Sequence, residues 1–276
     1  MTNLPTRSLV CSFFIVLVLH SFSATSHEVK DEREFSYSAT SPRGPARWGE
    51  IHAEWGACSH GKMQSPIDMS SERVDMISRL GSFKRSYKLT YAVLRNRGHD
   101  MMLRFEAEAG CIEINGTVYA LRQCHWHSPS EHTINRIRYD LELHLVHESA
   151  DGRIAVVGIL YKIGAPDSFL SSLTDDLAAV TDITGGERDV GVIDPRVIKI
   201  GSGEFYRYIG SLTVPPCTEN VLWNIAKKVR TVTWEQLILL RVAVHDESNT
   251  NARPLQAINK RSIELYRVDD DYEEEN

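Results

Sequence analysis

The chain lacks an excess of basic residues. Its 276 residues include 31 Lys and Arg against 37 Asp and Glu, which gives a formal net charge of −6. Acidic residues dominate positions 269–276, so the rest of the chain is close to neutral. This excludes the basic footprint with which nucleic-acid-binding proteins contact phosphates. We therefore expect no nucleic-acid partner, and we expect residues 269–276 to form a disordered acidic tail.

Long apolar runs are also lacking, with one exception near the start. Leu9 to Leu19 is almost unbroken, Arg7 precedes it, and the small residues Ser21, Ser23 and Ala24 follow it. The run is shorter than the roughly 20 residues that cross a bilayer. This pattern predicts a secretory signal peptide over residues 1–26. Since no later segment is long or apolar enough, we expect no membrane span.

Cysteine is scarce, with five residues in the chain. Removal of the signal peptide would leave four that allow three full pairings: Cys58, Cys111, Cys124 and Cys217. Asn115-Gly116 is a strong hairpin signal, and around that turn Cys111 faces Ala120, which leaves Cys124 too far away to bond with Cys111. A bridge between Cys58 and Cys217 is plausible in an exported protein. The alternative is two unrelated buried thiols.

Linkers, repeats and low-complexity segments are absent beyond the signal peptide, so we expect one domain over residues 35–268. Most of it alternates apolar and polar residues as strands do: Met101, Leu103 and Phe105 share one face. Residues 154–161 are apolar on both faces, as in an interior strand. Helical spacing is limited to residues 168–180 and 233–242. The pattern predicts a mainly β protein with a large, mostly antiparallel sheet and peripheral helices.

Three histidines stand at a spacing that suits a metal ion. His125 and His127 are two residues apart in Leu-Arg-Gln-Cys-His-Trp-His, so on a strand both leave the same face. His144, in Leu-Glu-Leu-His-Leu-Val-His, offers a third imidazole from another strand. Three neutral nitrogen ligands leave the fourth tetrahedral position of Zn²⁺ free for water. The set therefore predicts a catalytic zinc site.

Each of these strands also carries an acceptor for the second ring nitrogen of a histidine. Gln123 stands two residues before His125, and Glu142 stands two residues before His144. Ligand histidines usually need such acceptors, which fix the tautomer and orientation of the ring. A lone histidine beside a strand is more often a hydrogen-bonded structural residue, but two such pairs are hard to explain as core packing.

Several longer motifs carry a resemblance to a known family. They are Gln64-Ser-Pro-Ile-Asp68, Arg97-Gly-His-Asp100, the run CHWHSPSEHT at 124–133, Gly210-Ser-Leu-Thr-Val-Pro-Pro-Cys217 and Asn251-Ala-Arg-Pro254. Together they resemble the alpha class of carbonic anhydrases, plant members above all, over nearly the whole chain after the signal peptide. The resemblance implies a twisted sheet of about ten strands. It also implies a Zn²⁺ cofactor and the reversible hydration of carbon dioxide to bicarbonate and a proton by zinc-bound hydroxide.

The resemblance also implies roles for single residues. His125, His127 and His144 match the zinc ligands, with Gln123 and Glu142 behind them. Thr213 matches the threonine that accepts a hydrogen bond from the zinc-bound hydroxide and donates one to Glu131. His99 matches the proton shuttle, a task that suits an imidazole with a pKa near 6.5.

Further matches concern the surroundings of the metal. The apolar wall that receives carbon dioxide matches Val146, Val156, Leu212 and Trp223. Cys58 and Cys217 match the disulfide of exported members, and Asn251 and Arg253 match a structural pair. Plant members with signal peptides are extracellular or, as the alternative, reach the chloroplast through the secretory pathway.

The chain departs from the family pattern at three positions. Val214, in the substrate-binding set, stands where many members have a second threonine, so we expect altered anion affinity and turnover. Arg97 stands where asparagine is common, and a cation there would depress the pKa of His99. Phe35-Ser-Tyr37 replaces a Trp-x-Tyr segment, which makes Tyr37 the candidate for the tyrosine of the proton wire.

The remaining histidines are predicted to be structural or to lie in polar loops: His132 and His147 in the first group, His52, His60 and His245 in the second. Asn115-Gly-Thr117 is an N-glycosylation acceptor at a hairpin tip. Two other functions stay open: a non-catalytic binding or storage protein of the same fold, and ester hydrolysis at the same metal. The lack of Gly-x-Ser-x-Gly excludes a serine-based route to the latter.

Overall fold

The computed structural model describes residues 34–76, 83–200, 203–242 and 248–267. The predicted signal peptide at 1–26, His245 and the predicted acidic tail at 269–276 lie outside these residues. No helix within the described residues is long and apolar enough to cross a membrane.

Sixteen strands within the described residues form two sheets, one of thirteen strands and one of three. In chain order they are β1 Asp68–Met69, β2 Val74–Met76, β3 Phe83–Tyr87, β4 Thr90–Asn96, β5 Met101–Phe105, β6 Gly110–Ile114, β7 Thr117–His127, β8 Thr133–Ile134, β9 Ile137–Arg138, β10 Leu141–Ser149, β11 Ile154–Ile163, β12 Glu187–Ile193, β13 Glu204–Ser211, β14 Glu219–Ala226, β15 Arg230–Val232 and β16 Ile263–Arg267. The large sheet exceeds the expected ten or so strands because short strands such as β2 and β15 join its edges.

The large sheet runs in the order β12-β4-β5-β7-β10-β11-β14-β13-β16-β2, while β6 joins β3 to β7 and β15 pairs with β11. Most pairs are antiparallel, as predicted. The exceptions are the pairs β11 with β14, β11 with β15, and β16 with β2. β1, β8 and β9 form the small sheet.

In the described part of the chain, five short α-helices lie around the sheets: α1 Trp48–Ile51, α2 Ala57–His60, α3 Ser168–Ser172, α4 Thr174–Val180 and α5 Trp234–Val242. The apolar spacing at 168–180 therefore belongs to two helices. Leu173 leaves the helical conformation between them, and the Leu170 carbonyl accepts from both the Leu173 amide and the Thr174 hydroxyl. At α5 the predicted cap is present, because Thr233 and Gln236 each bond to the backbone amide of the other.

The β6–β7 hairpin has the predicted register. Cys111 pairs with Ala120 across the hairpin, and the turn holds Asn115 and Gly116 at φ values of 51° and 79°. Glycine suits the second position because a side chain is strained at positive φ. Cys111 and Cys124 are both free thiols, as their separation along the strands predicted.

Strands β7, β10 and β11 form the centre of the large sheet, and their alternation separates the core from the site. Leu141, Leu143 and Leu145 belong to the larger apolar cluster on one face. Val146 belongs to a second cluster on the other face, the side to which Glu142 and His144 also point. The histidine site therefore lies between the sheet and this second cluster.

A third cluster packs the N-terminal segment against the loop after β13. It contains aromatic residues from Phe35 to Trp55 and the two half-cystines Cys58 and Cys217. These cysteines form a disulfide across 159 residues of sequence, which confirms the predicted bridge. The bridge ties helix α2 to the loop that carries Thr213.

Candidate metal centre

Three imidazoles meet at the centre of the large sheet. β7 supplies His125 and His127, β10 supplies His144, and the register places His144 directly opposite His125. All three are buried, and one nitrogen from each lies within 4.8 Å of the others. The structure therefore brings together the three histidines that the sequence singled out.

The second nitrogen of each ring has an acceptor. His125 Nδ1 lies 2.8 Å from Gln123 Oε1, and His144 Nε2 lies 2.9 Å from Glu142 Oε1. His127 Nδ1 lies 2.7 Å from the backbone carbonyl oxygen of Asn251. Because these oxygens accept, we assign the ring protons to the nitrogens that face them. The lone pairs of His125 Nε2, His127 Nε2 and His144 Nδ1 are then left for a metal.

Burial keeps two of these rings uncharged. It is the largest cause that lowers the pKa of His125 well below its usual value, and it also lowers the pKa of His144 against the opposing effect of Glu142. A metal binds the neutral form of imidazole, so no proton has to be displaced from these rings at neutral pH.

Glu142 is the most heavily engaged acceptor of the site. Its Oε1 accepts from His132 Nδ1 at 2.7 Å as well as from His144, and its Oε2 accepts from the backbone amides of Glu131 and His132, both at 2.8 Å. Burial alone would raise the pKa of Glu142, but the two imidazoles and their hydrogen bonds hold it well below its usual value. A second group of possible metal ligands, with one ligand atom each within 4.8 Å of the others, consists of His132, Glu142 and His144. Glu142 already accepts hydrogen bonds from both of these imidazoles.

Glu131 and Thr213 are both buried beside the histidines, but they are not joined as expected. Glu131 Oε1 accepts from the backbone amide of Arg253 at 2.8 Å. Its Oε2 lies 3.6 Å from His127 Nε2, and neither of these two atoms has a hydrogen-bond partner within the described residues. The expected hydrogen bond from Thr213 to Glu131 is therefore not formed, because the carboxylate is turned toward Arg253 and His127.

These features test whether the residues suit a metal ion. Buried polar atoms are nearly always satisfied by a partner, and His127 Nε2 is left without one at the point where the other two imidazoles also present lone pairs. Three neutral nitrogen donors, each held by an acceptor, are the ligand set of a catalytic zinc site with one open position. The donor set fits Zn²⁺.

His99 lies in the aromatic cluster rather than at an open surface. Its ring is buried, with its centre 4.9 Å from that of Phe35 and 6.0 Å from that of Tyr37. Burial is the main reason why its pKa falls to about 3; Asp100 raises it, and Arg97 lowers it further. Arg97 thus acts in the expected direction, and burial beside the aromatic rings is the larger cause of the lowered pKa.

The apolar residues assigned to the substrate fall into two groups. Val146, Val156, Leu212 and Trp223 belong to one buried cluster, the one beside His144; the ring centres of His144 and Trp223 are 4.8 Å apart. Val214 instead packs in the third cluster, with Trp48 and the disulfide. The assignment of Val214 to the substrate-binding set stays a prediction.

Comparison with known proteins agrees with this geometry. The family model described as eukaryotic-type carbonic anhydrase matches residues 43–267. The chain belongs to this family. Alpha carbonic anhydrase 7 of Arabidopsis thaliana is 55% identical over 267 residues, which cover 94% of this chain and 97% of that protein.

Solved carbonic anhydrase structures share the fold. The alpha carbonic anhydrase of Thermovibrio ammonificans in complex with the inhibitor sulfanilamide is 32% identical, with a TM-score of 0.74 over 83% of this chain and 98% of that chain. The crystal structure of dioscorin complexed with ascorbate is 44% identical, with a TM-score of 0.82 over 85% of this chain and 98% of that chain. The family thus includes relatives whose described ligands differ.

Sequence reasoning missed three contributors to this carbonic anhydrase site. The acceptor for His127 is the backbone carbonyl of Asn251. A backbone acceptor cannot be predicted from residue type, although Asn251 belongs to the motif Asn251-Ala-Arg-Pro254. Val221 joins the apolar cluster beside Trp223. Gly158 lies opposite His144, and a Cβ there would lie 2.5 Å from Ile225 Cδ1 and 3.1 Å from Glu142 Oε1, so glycine leaves room for the carboxylate.

Proposed function

We propose that this chain binds one Zn²⁺ and catalyses the reversible hydration of carbon dioxide to bicarbonate and a proton. The observation that carries the proposal is the set of three buried imidazoles whose second nitrogens are each held by a fixed acceptor. His125 Nε2, His127 Nε2 and His144 Nδ1 would hold the metal. When bound, zinc supplies a Lewis acid that makes water a nucleophile near neutral pH.

The chain's own residues prepare the other requirements of the reaction. Gln123, Glu142 and the Asn251 carbonyl fix the orientation of the imidazoles, so little reorganisation is needed on metal binding. Val146, Leu212 and their neighbours form a dry apolar wall beside His144, which suits carbon dioxide because the molecule has no net dipole and no strong hydrogen-bonding group. Water is excluded there, which strengthens electrostatic interactions at the reacting atoms.

We infer that one carboxylate and one hydroxyl group orient the reacting water. We assign this role to Thr213 with Glu131, whose Oε2 is left without a partner beside His127. An ionised carboxylate accepts hydrogen bonds but cannot donate one, so Glu131 would fix the direction in which the Thr213 hydroxyl donates.

We assign to His99 the removal of the proton. Its pKa of about 3 makes the ring a weak proton acceptor at neutral pH, because efficient transfer requires a pKa near the operating pH. The proposal therefore includes slow proton export, a property that a buffer would relieve.

The alternative is a binding protein, and the dioscorin complex with ascorbate is the relative that favours it. Retention of all three imidazoles with their acceptors argues against that role for this chain. Ester hydrolysis at the same metal would use the same residues, so geometry alone does not separate it from hydration.

One experiment separates these functions. Protein without the signal peptide is purified, its zinc is quantified, and carbon dioxide hydration and ester hydrolysis are followed by stopped-flow and absorbance. The His144→Ala variant is the site control, and His60→Ala, at an exposed position, is the matched control. We expect one zinc per chain and hydration that His144→Ala abolishes. Stoichiometric zinc without hydration would favour the binding role, and faster ester turnover would favour hydrolysis.

We also propose that the chain enters the secretory pathway. The Cys58–Cys217 disulfide is typical of oxidising compartments, and Asn115 is exposed at the β6–β7 turn. Expression of the tagged full chain in plant cells, with and without Asn115→Gln, tests this. A glycosidase shift that the variant lacks would support export, and imaging would separate an extracellular from a chloroplast destination.

A further inference from the structure

The face of the large sheet opposite the histidine site carries a buried polar pair. Arg207 of β13 lies directly opposite Asn224 of β14. Their sequence neighbours Tyr208 and Trp223 belong to the apolar cluster beside the metal centre. Because side chains alternate along a strand, Arg207 and Asn224 point the other way, away from that centre.

Arg207 is a buried cation that no carboxylate neutralises. Only 6% of the residue is exposed, and the described part of the chain places no carboxylate oxygen within 4.0 Å of its guanidinium. Its Nε donates to Asn224 Oδ1 at 2.8 Å, and its Cζ lies 3.9 Å from the ring centre of Tyr266. Its cross-strand neighbour on β16 is Glu264. Buried charges are normally paired, because removal from water is costly.

Three buried polar atoms of this group form no hydrogen bond of normal geometry among the described residues: Arg207 Nη2, Asn224 Nδ2 and Tyr266 Oη. Burial lowers the pKa of the guanidinium, but the Tyr266 hydroxyl nevertheless interacts with Arg207 and, like the carboxylate of Glu264, raises that pKa. The direction of the Asn224 amide is determined, since arginine can only donate and must therefore face Oδ1. Asn224 Nδ2 then points onward as a donor. Two buried donors and a hydroxyl thus lie around a positive charge whose hydrogen-bond acceptor among the described residues is Asn224 Oδ1.

We propose that Arg207, Asn224 and Tyr266 bind one small monovalent anion, of the class of chloride, nitrate or bicarbonate. The guanidinium supplies the charge, and the amide and hydroxyl supply two further donors. The anion has to be small because the three residues are 6%, 0% and 2% exposed. A water molecule would satisfy the donors but leave the charge uncompensated. This site does not depend on the proposed function, since it lies on the other face of the sheet.

Thermal unfolding of the zinc-loaded protein tests the proposal. Sodium gluconate, whose anion is too large for the site, is exchanged for sodium chloride or sodium nitrate at constant ionic strength and pH. Saturating sulfanilamide, an inhibitor bound by a family member, is present to suppress anion effects at the histidine site. We expect a rise in Tm of about 3–6 °C when the anion is tenfold above its Kd, and a further rise in proportion to the logarithm of the anion concentration above that.

Two variants assign the effect to the cluster. Asn224→Asp places a fixed carboxylate beside Arg207 and should fold while losing the anion-dependent rise; Arg207→Met should lose it as well. Arg104→Met removes an exposed cation paired with Glu106 and should keep it. No anion-dependent rise in the Tm of the parent protein, or an equal rise in Asn224→Asp, would overturn the proposal even if Arg207→Met fails to fold.

A direct readout is independent of the histidine site. Crystals grown in sodium bromide should show an anomalous difference peak in contact with Arg207 Nη2 and Asn224 Nδ2. An ordered water there, without anomalous signal, would show that the donors are hydrated and that no anion is bound.

Discussion

Substitution of Glu142 by glutamine tests how the site is held together. The carboxylate receives four hydrogen bonds at 2.7–2.9 Å, two at each oxygen. Glutamine has nearly the same shape but can accept at only one end. If its oxygen faces the rings of His132 and His144, its amide group opposes the backbone amides of Glu131 and His132. If it is reversed, the amide group opposes both rings.

The cost follows from this geometry. Either orientation leaves two buried N–H donors without an acceptor, at about 1–3 kcal/mol each. We therefore expect Glu142→Gln to lower the free energy of unfolding by about 2–6 kcal/mol. Loss of the acceptor that orients His144 should also weaken zinc binding by about 10–100-fold.

Two measurements on the same samples check this. Urea unfolding of the metal-free protein gives the stability change, and competition with a chromogenic chelator gives zinc affinity. Glu113→Gln is the matched control, because that carboxylate is partly exposed and only 3.6 Å from Lys84; its effect should stay within about 1 kcal/mol. Unchanged stability and zinc affinity in Glu142→Gln would refute the view that this carboxylate organises the site.

Three further predictions concern other parts of the molecule. The Cys58→Ser/Cys217→Ser double variant should lose about 5 kcal/mol of stability in urea unfolding, since the bridge spans 159 residues; a loss below about 1 kcal/mol would contradict the chain-entropy estimate. Imidazole buffer should accelerate carbon dioxide hydration by the unaltered protein, because a ring with a pKa of about 3 relays protons poorly. For the same reason His99→Ala should lower kcat by less than about 100-fold, and a larger loss in stopped-flow assays would contradict this. Glu204 bonds to Arg267 and Lys227, which lower its pKa, so its stabilising effect is present above the carboxyl pKa of the unfolded chain and is lost as the pH falls through the folded value. Between pH 6 and pH 3, the free energy of unfolding, measured in urea, should therefore fall by about 0.2–1 kcal/mol less in Glu204→Gln than in the parent protein. Equal losses in the two proteins would refute this role of Glu204.

Local alternation explains why the strands and their faces could be predicted from the sequence. The two-residue period places His125 with His127, and Glu142 with His144, without knowledge of the fold. The pairing of β7 with β10, which sets His144 opposite His125, is a long-range register that one sequence does not state. The sequence predicted a third imidazole from another strand, and the family resemblance matched all three histidines to zinc ligands, but neither gave this register.

Environment, in contrast to position, could not be predicted. His99 was correctly placed next to a strand, but its pKa depends on Phe35, a residue 64 positions earlier whose ring covers it. Arg207 likewise occupies a strand position where a charged residue suggests a solvent-facing side chain, yet it is buried between neighbouring strands. In both cases desolvation depends on what packs above the residue, which periodicity does not reveal.

Asn251 shows why the histidine set cannot be treated as a local motif. Its carbonyl accepts from His127 across 124 residues of sequence, its amide group donates to the carbonyls of His99 and Trp126, and its side-chain oxygen accepts from the amide of Ser128. One residue near the end of the domain thus orients a proposed ligand and fixes the backbone of the proposed proton acceptor. A peptide spanning residues 120–147 would contain all three imidazoles but lack this constraint. High affinity for the proposed zinc ion would therefore require the whole fold, and the binding energy of the metal would contribute to the stability of that fold.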